Sequence, residues 1–377
     1  MLPLTLYIHI PWCIKKCPYC DFNSHAVKTE LPEKRYIDTL LSDLSQTIDK
    51  YEINRPLNSI FIGGGTPSLF KPESFELLLR GIAKQIELKP DLEITLEANP
   101  GTFESNKFAE FRTLGINRLS IGIQSFNDTL LSRLGRVHNS NEAIRAVEIA
   151  QQSGFENINL DLMFGLPGAT LAEGHHDIAT AIQLQPKHIS YYQLTLEPNT
   201  YFHKFPPKLP HDELIYNTQQ IAQALLAEHS YQQYEVSAYS QQGFQCQHNL
   251  NYWQFGDYLG IGAGAHGKVS LSLPNSIIRT CKSKQPEHYL NSLNLPSDEH
   301  LLASKELPIE FVMNHLRLKQ GFTPASYEAA TGLNMATLEP ALSSCLDTGL
   351  LVYQNGFYYC SDDGWNFLDN ILEKFIV

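Results

Sequence analysis

Three cysteines, Cys13, Cys17 and Cys20, fall within eight residues, directly after a short β-branched and aromatic run at residues 5–10. A loop at the carboxyl end of a strand would present all three thiolates together, where barrel proteins place their chemistry. Three ligands leave a structural zinc site one short. Cysteine thiolates are standard iron–sulfur ligands, and a four-iron cluster held by three of them would have one iron free for an exogenous ligand. Lys15 and Lys16 either favour the thiolate state or are simply solvated. A zinc knuckle completed by His9 or His25, and thiols packed without any metal, are the competing readings. Cys246, Cys281, Cys345 and Cys360 are scattered, and an odd total of seven suits a reducing compartment better than a disulfide framework.

Further candidate groups recur where strands should end. Gly63-Gly64-Gly65-Thr66-Pro67 gives three positions at which backbone can approach a neighbour that any Cβ would block. Glu97-Ala98-Asn99-Pro100, Gly122-Ile123-Gln124-Ser125-Phe126 and the segment from Asp161 to Pro167 follow in order.

The elements that must carry these groups are legible from periodicity. Strand-like runs at 5–10, 59–62, 93–97, 118–123, 157–163 and 188–196 alternate with helical segments at 33–50, 73–86, 143–152 and 171–184. Six such units predict an α/β fold, a partial (βα)6 TIM-like barrel. Three regions are expected: a barrel core over 1–200, an annex over 201–298, and a C-terminal domain over 299–377. The annex holds a helix at 212–228 and the glycine-rich stretch 256–267, and residues 271–298 read as a boundary. In the last region helices precede a hairpin turning at Asn355-Gly356, a winged-helix-like order.

The C-x3-C-x2-C motif with Tyr19 before its third cysteine, after the first strand of such a barrel, resembles the radical-SAM superfamily. The order and spacing of the later motifs resemble the oxygen-independent coproporphyrinogen III oxidase family over essentially the whole chain. The resemblance implies a 4Fe-4S cluster on Cys13, Cys17 and Cys20. It also implies S-adenosylmethionine held by Tyr7, Gly64, Gly65, Thr66, Glu97, Gln124, Arg136 and Asp161. Carboxylates can accept from ribose hydroxyls or the ligand's amine, and Arg136 can pair with its carboxylate.

Two departures set the branch. The oxidases carry a fourth cysteine where Phe22 stands, and an extension where only twelve residues precede Cys13. Both features, and the segment Cys246-Gln-His248-Asn249-Leu-Asn-Tyr252-Trp253, are similar to the HemW-type haem chaperones. That family associates an HNxxYW segment with haem, so His248, Asn249, Tyr252 and Trp253 are haem candidates. Imidazole is a natural axial ligand and aromatic rings can stack on the macrocycle. The plainer alternative is that His248 and Asn249 pin the annex to the barrel rim.

The resemblance therefore implies a chaperone that binds cluster, S-adenosylmethionine and haem as cargo, and passes haem to an acceptor protein. The runner-up is an oxygen-independent coproporphyrinogen III dehydrogenase. A haem-degrading or methyl-transferring radical-SAM enzyme is third, and a zinc or nucleic-acid module last. A net charge of −12 argues against broad adhesion to nucleic acid or anionic lipid. The C-terminal residues 301–377 carry four Lys/Arg against nine Asp/Glu, which disfavours the nucleic-acid use of a winged helix. With no apolar run of membrane-spanning length, the expectation is a soluble cytoplasmic protein without a signal peptide and with at most peripheral membrane contact. Oligomeric state is left open, a homodimer among the options.

Overall fold

The computed structural model describes residues 2–101, 105–271, 276–292 and 297–376. Six strand–helix units follow one another: β1 (Leu4–Ile10), α1 (Glu33–Lys50), β2 (Leu57–Gly64), α2 (Pro72–Gln85), β3 (Leu88–Ala98), α3 (Phe108–Thr113), β4 (Arg118–Gln124), α4 (Asp128–Arg133), α5 (Ser140–Gln152), β5 (Asn157–Phe164), α6 (Leu171–Gln183) and β6 (His188–Gln193). All six strands are parallel and neighbour one another in chain order. The helices start where local chemistry allows. Pro72 opens α2, and reciprocal capping boxes, Asn139 with Glu142 and Thr170 with Glu173, open α5 and α6.

Alternation within the strands separates two environments. In β1, Leu4, Leu6, Ile8 and Ile10 join Tyr36, Ile37 and Leu40 of α1 in the main apolar core. Thr5, Tyr7 and His9 point the other way, with Ser59, Glu93, Glu97, Ser120 and Asp161 of the neighbouring strands. The inner face of the barrel is therefore polar while its outer face is dry.

After β6 come α7 (Asp212–Glu228), β7 (Gln232–Glu235), β8 (Ala238–Ser240) and α8 (Gln247–Trp253). The chain then returns as β9 (Asp257–Ile261), β10 (His266–Ser270), β11 (Ile277–Lys282), α9 (Pro286–Asn291) and β12 (Ser297–Leu301). β9 lies parallel to β1, on the side away from β2. One mixed sheet thus runs β12-β11-β10-β9-β1-β2-β3-β4-β5-β6-β8-β7. The glycine-rich stretch contributes β9, buried throughout, and Gly260 is obligatory because a Cβ there would stand 1.9 Å from the carbonyl oxygen of His266. Residues 271–298, read from sequence as a boundary, contain β11 and α9, with 272–275 and 293–296 lying outside the described residues.

The C-terminal part has its own core around Phe311, Phe322, Tyr327 and Trp365. Helices α10 (Leu307–His315), α11 (Pro324–Thr331) and α12 (Ala341–Asp347) precede the hairpin β13 (Leu351–Gln354) and β14 (Phe357–Cys360). Asn355 and Gly356 both have positive φ, 53° and 84°, the primed turn their types favour.

Candidate functional site

The cysteine loop leaves the top of β1 and is clamped at its root. Gly65 and Thr66 donate backbone N–H groups to the carbonyls of Ile10 and Trp12, at 2.8 and 2.7 Å. A Cβ on Gly65 would meet the Trp12 carbonyl oxygen at 2.5 Å, and one on Gly64 would meet the His9 ring at 2.4 Å. The first duty of these glycines is thus to let β2 pass β1 and its loop, before any ligand is considered. Cys13, Cys17 and Cys20 are half-buried free thiols on the loop. Burial pushes the Cys13 thiol up, against a hydrogen bond from Thr66. Burial does the same at Cys20, where the Ser24 hydroxyl lies 3.7 Å from Sγ and the nearby Lys16 charge only partly offsets it. The lysines expected to favour thiolates are exposed, and Lys16 is spent on the Phe22 carbonyl at 3.0 Å. Iron binding here must displace protons. Among the described residues, no three His, Cys, Asp or Glu side chains close round a single-ion position.

Several of the residues expected to hold S-adenosylmethionine meet beside Cys17. Arg136 Nη1 lies 3.6 Å from Cys17 Sγ, and its Nη2 donates to Asn99 Oδ1 at 2.7 Å and to the Gly122 carbonyl at 2.8 Å. The buried Nε of Arg136 has no hydrogen-bond partner among the described residues. Asn99 in turn donates to Thr66 Oγ1 at 2.8 Å. Gln124, in a left-handed backbone conformation at the end of β4, accepts from the Tyr192 hydroxyl at 2.8 Å. Glu97 is half-buried and accepts only the Gly64 N–H, at 2.9 Å, among the described residues. Burial first, with the nearby Asp161 charge adding, pushes its carboxyl up to about 7. Asp161 is also pushed up by burial, although Ser120 and Asn159 donate to it at 3.1 and 2.8 Å. The Tyr7 hydroxyl lies 3.0 Å from His9 Nδ1 within the same wall.

This donor set fits the groups implied by the resemblance. Three thiols stand on one loop, a guanidinium reaches the middle sulfur, and a half-buried carboxyl in the wall has no salt-bridge partner among the described residues, the Arg118 charge offsetting its burial only in part. A ligand bringing an amine would supply the missing charge to Glu97. Sequence reading passed over Asn99 and Tyr192 as contacts. Asn99 sat within the Glu97–Pro100 motif and was readable as its polar centre, whereas Tyr192 in a run of tyrosines carried no signal.

The HNxxYW segment lies elsewhere. It forms α8, packed against the amino-terminal levels of β1 and β2, whereas the cysteines follow the carboxyl end of β1. Glu93 Oε1 accepts from the N–H groups of Gln247 and His248, at 3.0 and 3.3 Å, and so holds the start of α8. His248 is buried, with Nδ1 3.3 Å from Ser59 Oγ and its ring 5.1 Å from that of Phe61. Burial, then the Arg118 charge, lowers its imidazole to about 3, so it is neutral. Asn249 is half-buried, and neighbouring Asn251 donates to Thr5 Oγ1. Tyr252 and Trp253 pack on each other, and Arg317 of the C-terminal part lies over the Trp253 ring at 4.4 Å.

Residues 7–180 match the Radical SAM superfamily, and residues 302–367 match the HemN C-terminal domain. The heme chaperone HemW of Haemophilus influenzae is 48% identical over 99% of this chain and 98% of its own length. That of Escherichia coli is 46% identical over the same shares, and that of Bacillus subtilis 35% identical over 96% of both. The chain belongs to the HemW heme chaperone family. Its fold is shared with the coproporphyrinogen III oxidase HemN from Escherichia coli, at a TM-score of 0.83 and 20% identity, covering 99% of this chain and 90% of that one. The family assignment favours the chaperone branch that Phe22 and the HNxxYW segment had suggested. Among the described residues, no helix is long and apolar enough to cross a membrane.

Proposed function

We propose that this protein is a cytoplasmic haem chaperone. In this reading it holds a 4Fe-4S cluster on Cys13, Cys17 and Cys20, binds S-adenosylmethionine beside the cluster, and passes haem to an acceptor protein. The observation that carries the cofactor part is the chain Cys17–Arg136–Asn99–Thr66, with the raised Glu97 carboxyl in the same wall. When bound, the cluster would offer an open iron to the amino acid end of S-adenosylmethionine. Arg136 would pair with that end's carboxylate, Glu97 would accept an N–H of its amine, and Gln124 and Asp161 would accept from the remaining donors. Tyr7 and the Gly64–Thr66 turn shape the wall. The haem part rests on family membership. His248, Asn249, Tyr252 and Trp253 lie on α8 below the barrel, where Arg317 of the C-terminal part covers the Trp253 ring.

The test is anaerobic reconstitution followed by parallel incubation with haem and with coproporphyrinogen III. Stoichiometric haem retention without porphyrin product is expected, with about four irons per chain. Decarboxylated porphyrin would instead promote the dehydrogenase reading. Full iron content in a Cys17→Ala protein would overturn the cluster assignment.

A further inference from the structure

Two side chains of metal-ligating type, His266 and Cys281, meet outside the site described so far. His266 opens β10 and Cys281 sits opposite it on β11, as register partners. Cys281 Sγ is 3.5 Å from His266 Nε2, the imidazole's sole hydrogen-bond contact among the described residues. His266 is exposed and Cys281 half-buried. Strand alternation explains how such a pair stays at the surface. Lys282, the next residue, points inward and forms a buried ion pair with Asp43 of α1 at 2.5 Å, so the side chain before it must face the opposite way. The Tyr289 hydroxyl donates to the same carboxylate at 2.7 Å, fixing the strand further.

This ledge is joined to the cysteine loop. Asn23 Nδ2 donates to the carbonyls of Ala263 and Lys284, both at 2.8 Å, and His9 Nε2 lies 2.8 Å from the Asn23 carbonyl. Immediately before Asn23 stands Phe22, a large apolar ring left 58% exposed. Lys284, also exposed, supplies a cation at the other end of the ledge. An imidazole, an exposed aromatic ring and a lysine, on segments tied together through Asn23, match the three parts of a haem: its iron, its flat macrocycle and its propionates. The buried His248 offers no such combination.

We propose that the ledge of Phe22, His266, Cys281 and Lys284 is the haem-docking site, with His266 as the axial ligand and Cys281 positioning its ring. This rests on the haem-chaperone reading above. Arriving haem takes the imidazole from the Cys281 contact. Phe22 stacks on the macrocycle and Lys284 pairs with a propionate.

The test is anaerobic haem titration of the reconstituted full chain, followed by absorption spectroscopy. The variants are His266→Ala, His266→Gln, Cys281→Ser and Phe22→Ala, with iron content and S-adenosylmethionine binding measured on each preparation. His266→Ala and His266→Gln should both weaken haem binding at least tenfold and shift the Soret band, while iron content and S-adenosylmethionine affinity hold. The glutamine variant keeps the side chain polar without ligating iron, so a loss shared by both reports ligation. Phe22→Ala and Cys281→Ser should lower affinity several-fold. If wild type binds haem and the His266 variants match it in affinity and spectrum, the ledge is overturned and the chaperone reading survives. A thiolate-type spectrum lost in Cys281→Ser and kept in His266→Ala would overturn the assignment of His266. If wild type retains no haem at all, the chaperone reading fails, and this site with it.

Discussion

Glu97 is a half-buried carboxyl with no salt-bridge partner among the described residues, and its charge is therefore a liability until a ligand arrives. Its ordinary value is 4.5 and its value in the fold about 7. Between those limits the unfolded chain has released a proton that the fold retains, so ligand-free stability falls as pH rises, and the full cost is present above pH 7. Glu97→Gln should raise ligand-free stability at pH 8 by up to about 3 kcal/mol. The same substitution should weaken S-adenosylmethionine binding tenfold or more, because an amide is a weaker acceptor than a carboxylate for the ligand's N–H groups. Urea denaturation and equilibrium binding on one preparation check both signs. His248 gives the contrasting case. Removing its ring leaves Phe61 and the Ser59 hydroxyl without their partner, so His248→Ala should cost roughly 2–3 kcal/mol and lower the melting temperature. The haem spectrum should stay as in wild type. A spectral change without loss of stability would restore His248 as ligand.

At the scale of elements, α8 is a seven-residue helix whose N-cap residue, Cys246, supplies no side-chain acceptor. Glu93 replaces that cap from another strand. Glu93→Ala should therefore free two helix N–H groups and cost about 1–2 kcal/mol. Hydrogen exchange should rise chiefly in residues 246–253, and the cysteine loop should keep its protection. Uniform loss of protection across the barrel would mean that Glu93 does more than hold α8. The hairpin at Asn355-Gly356 shows the opposite kind of element, specified by two adjacent residues and needing no distant partner. Its turn was readable from sequence because positive φ is cheap for those residue types alone.

Across the whole molecule, acid should be the destabilising direction. Burial, the leading cause at each, lowers His9, His138 and His315 to about 4 and His248 to about 3. These imidazoles stay neutral in the fold down to values at which the unfolded chain has charged them, so their contribution is present above about pH 6.5 and lost as pH falls. Glu97 and Asp177, the latter pushed up by burial to about 6, act in reverse and recover stability over part of that range. Burial also lowers His188 well below its ordinary value and raises Asp161 and Glu235; the imidazoles still outnumber the carboxyls, so unfolding at pH 5 should take up protons and stability should fall toward acid. Urea midpoints at pH 5.0, 5.5 and 6.0 give the slope, and a flat or rising trend toward acid would contradict it.

Sequence alone determined the strand–helix alternation, the thiolate loop, the strand-end motifs and the terminal hairpin. Each rests on residues close together in the chain, where side-chain period, glycine freedom and cysteine spacing act locally. It also separated the chaperone branch from the oxidases through Phe22. Only the tertiary structure decided that the glycine-rich stretch becomes a strand beside β1, since its pairing spans some 250 residues. The same holds for Asn99 bridging Arg136 and Thr66, for Glu93 holding the start of α8, and for His266 standing against Cys281. The HNxxYW motif was visible as letters, but its place beneath the barrel was not. Burial and hydrogen-bond partnership are properties of what surrounds a side chain, and those neighbours come from remote segments that local pattern does not specify.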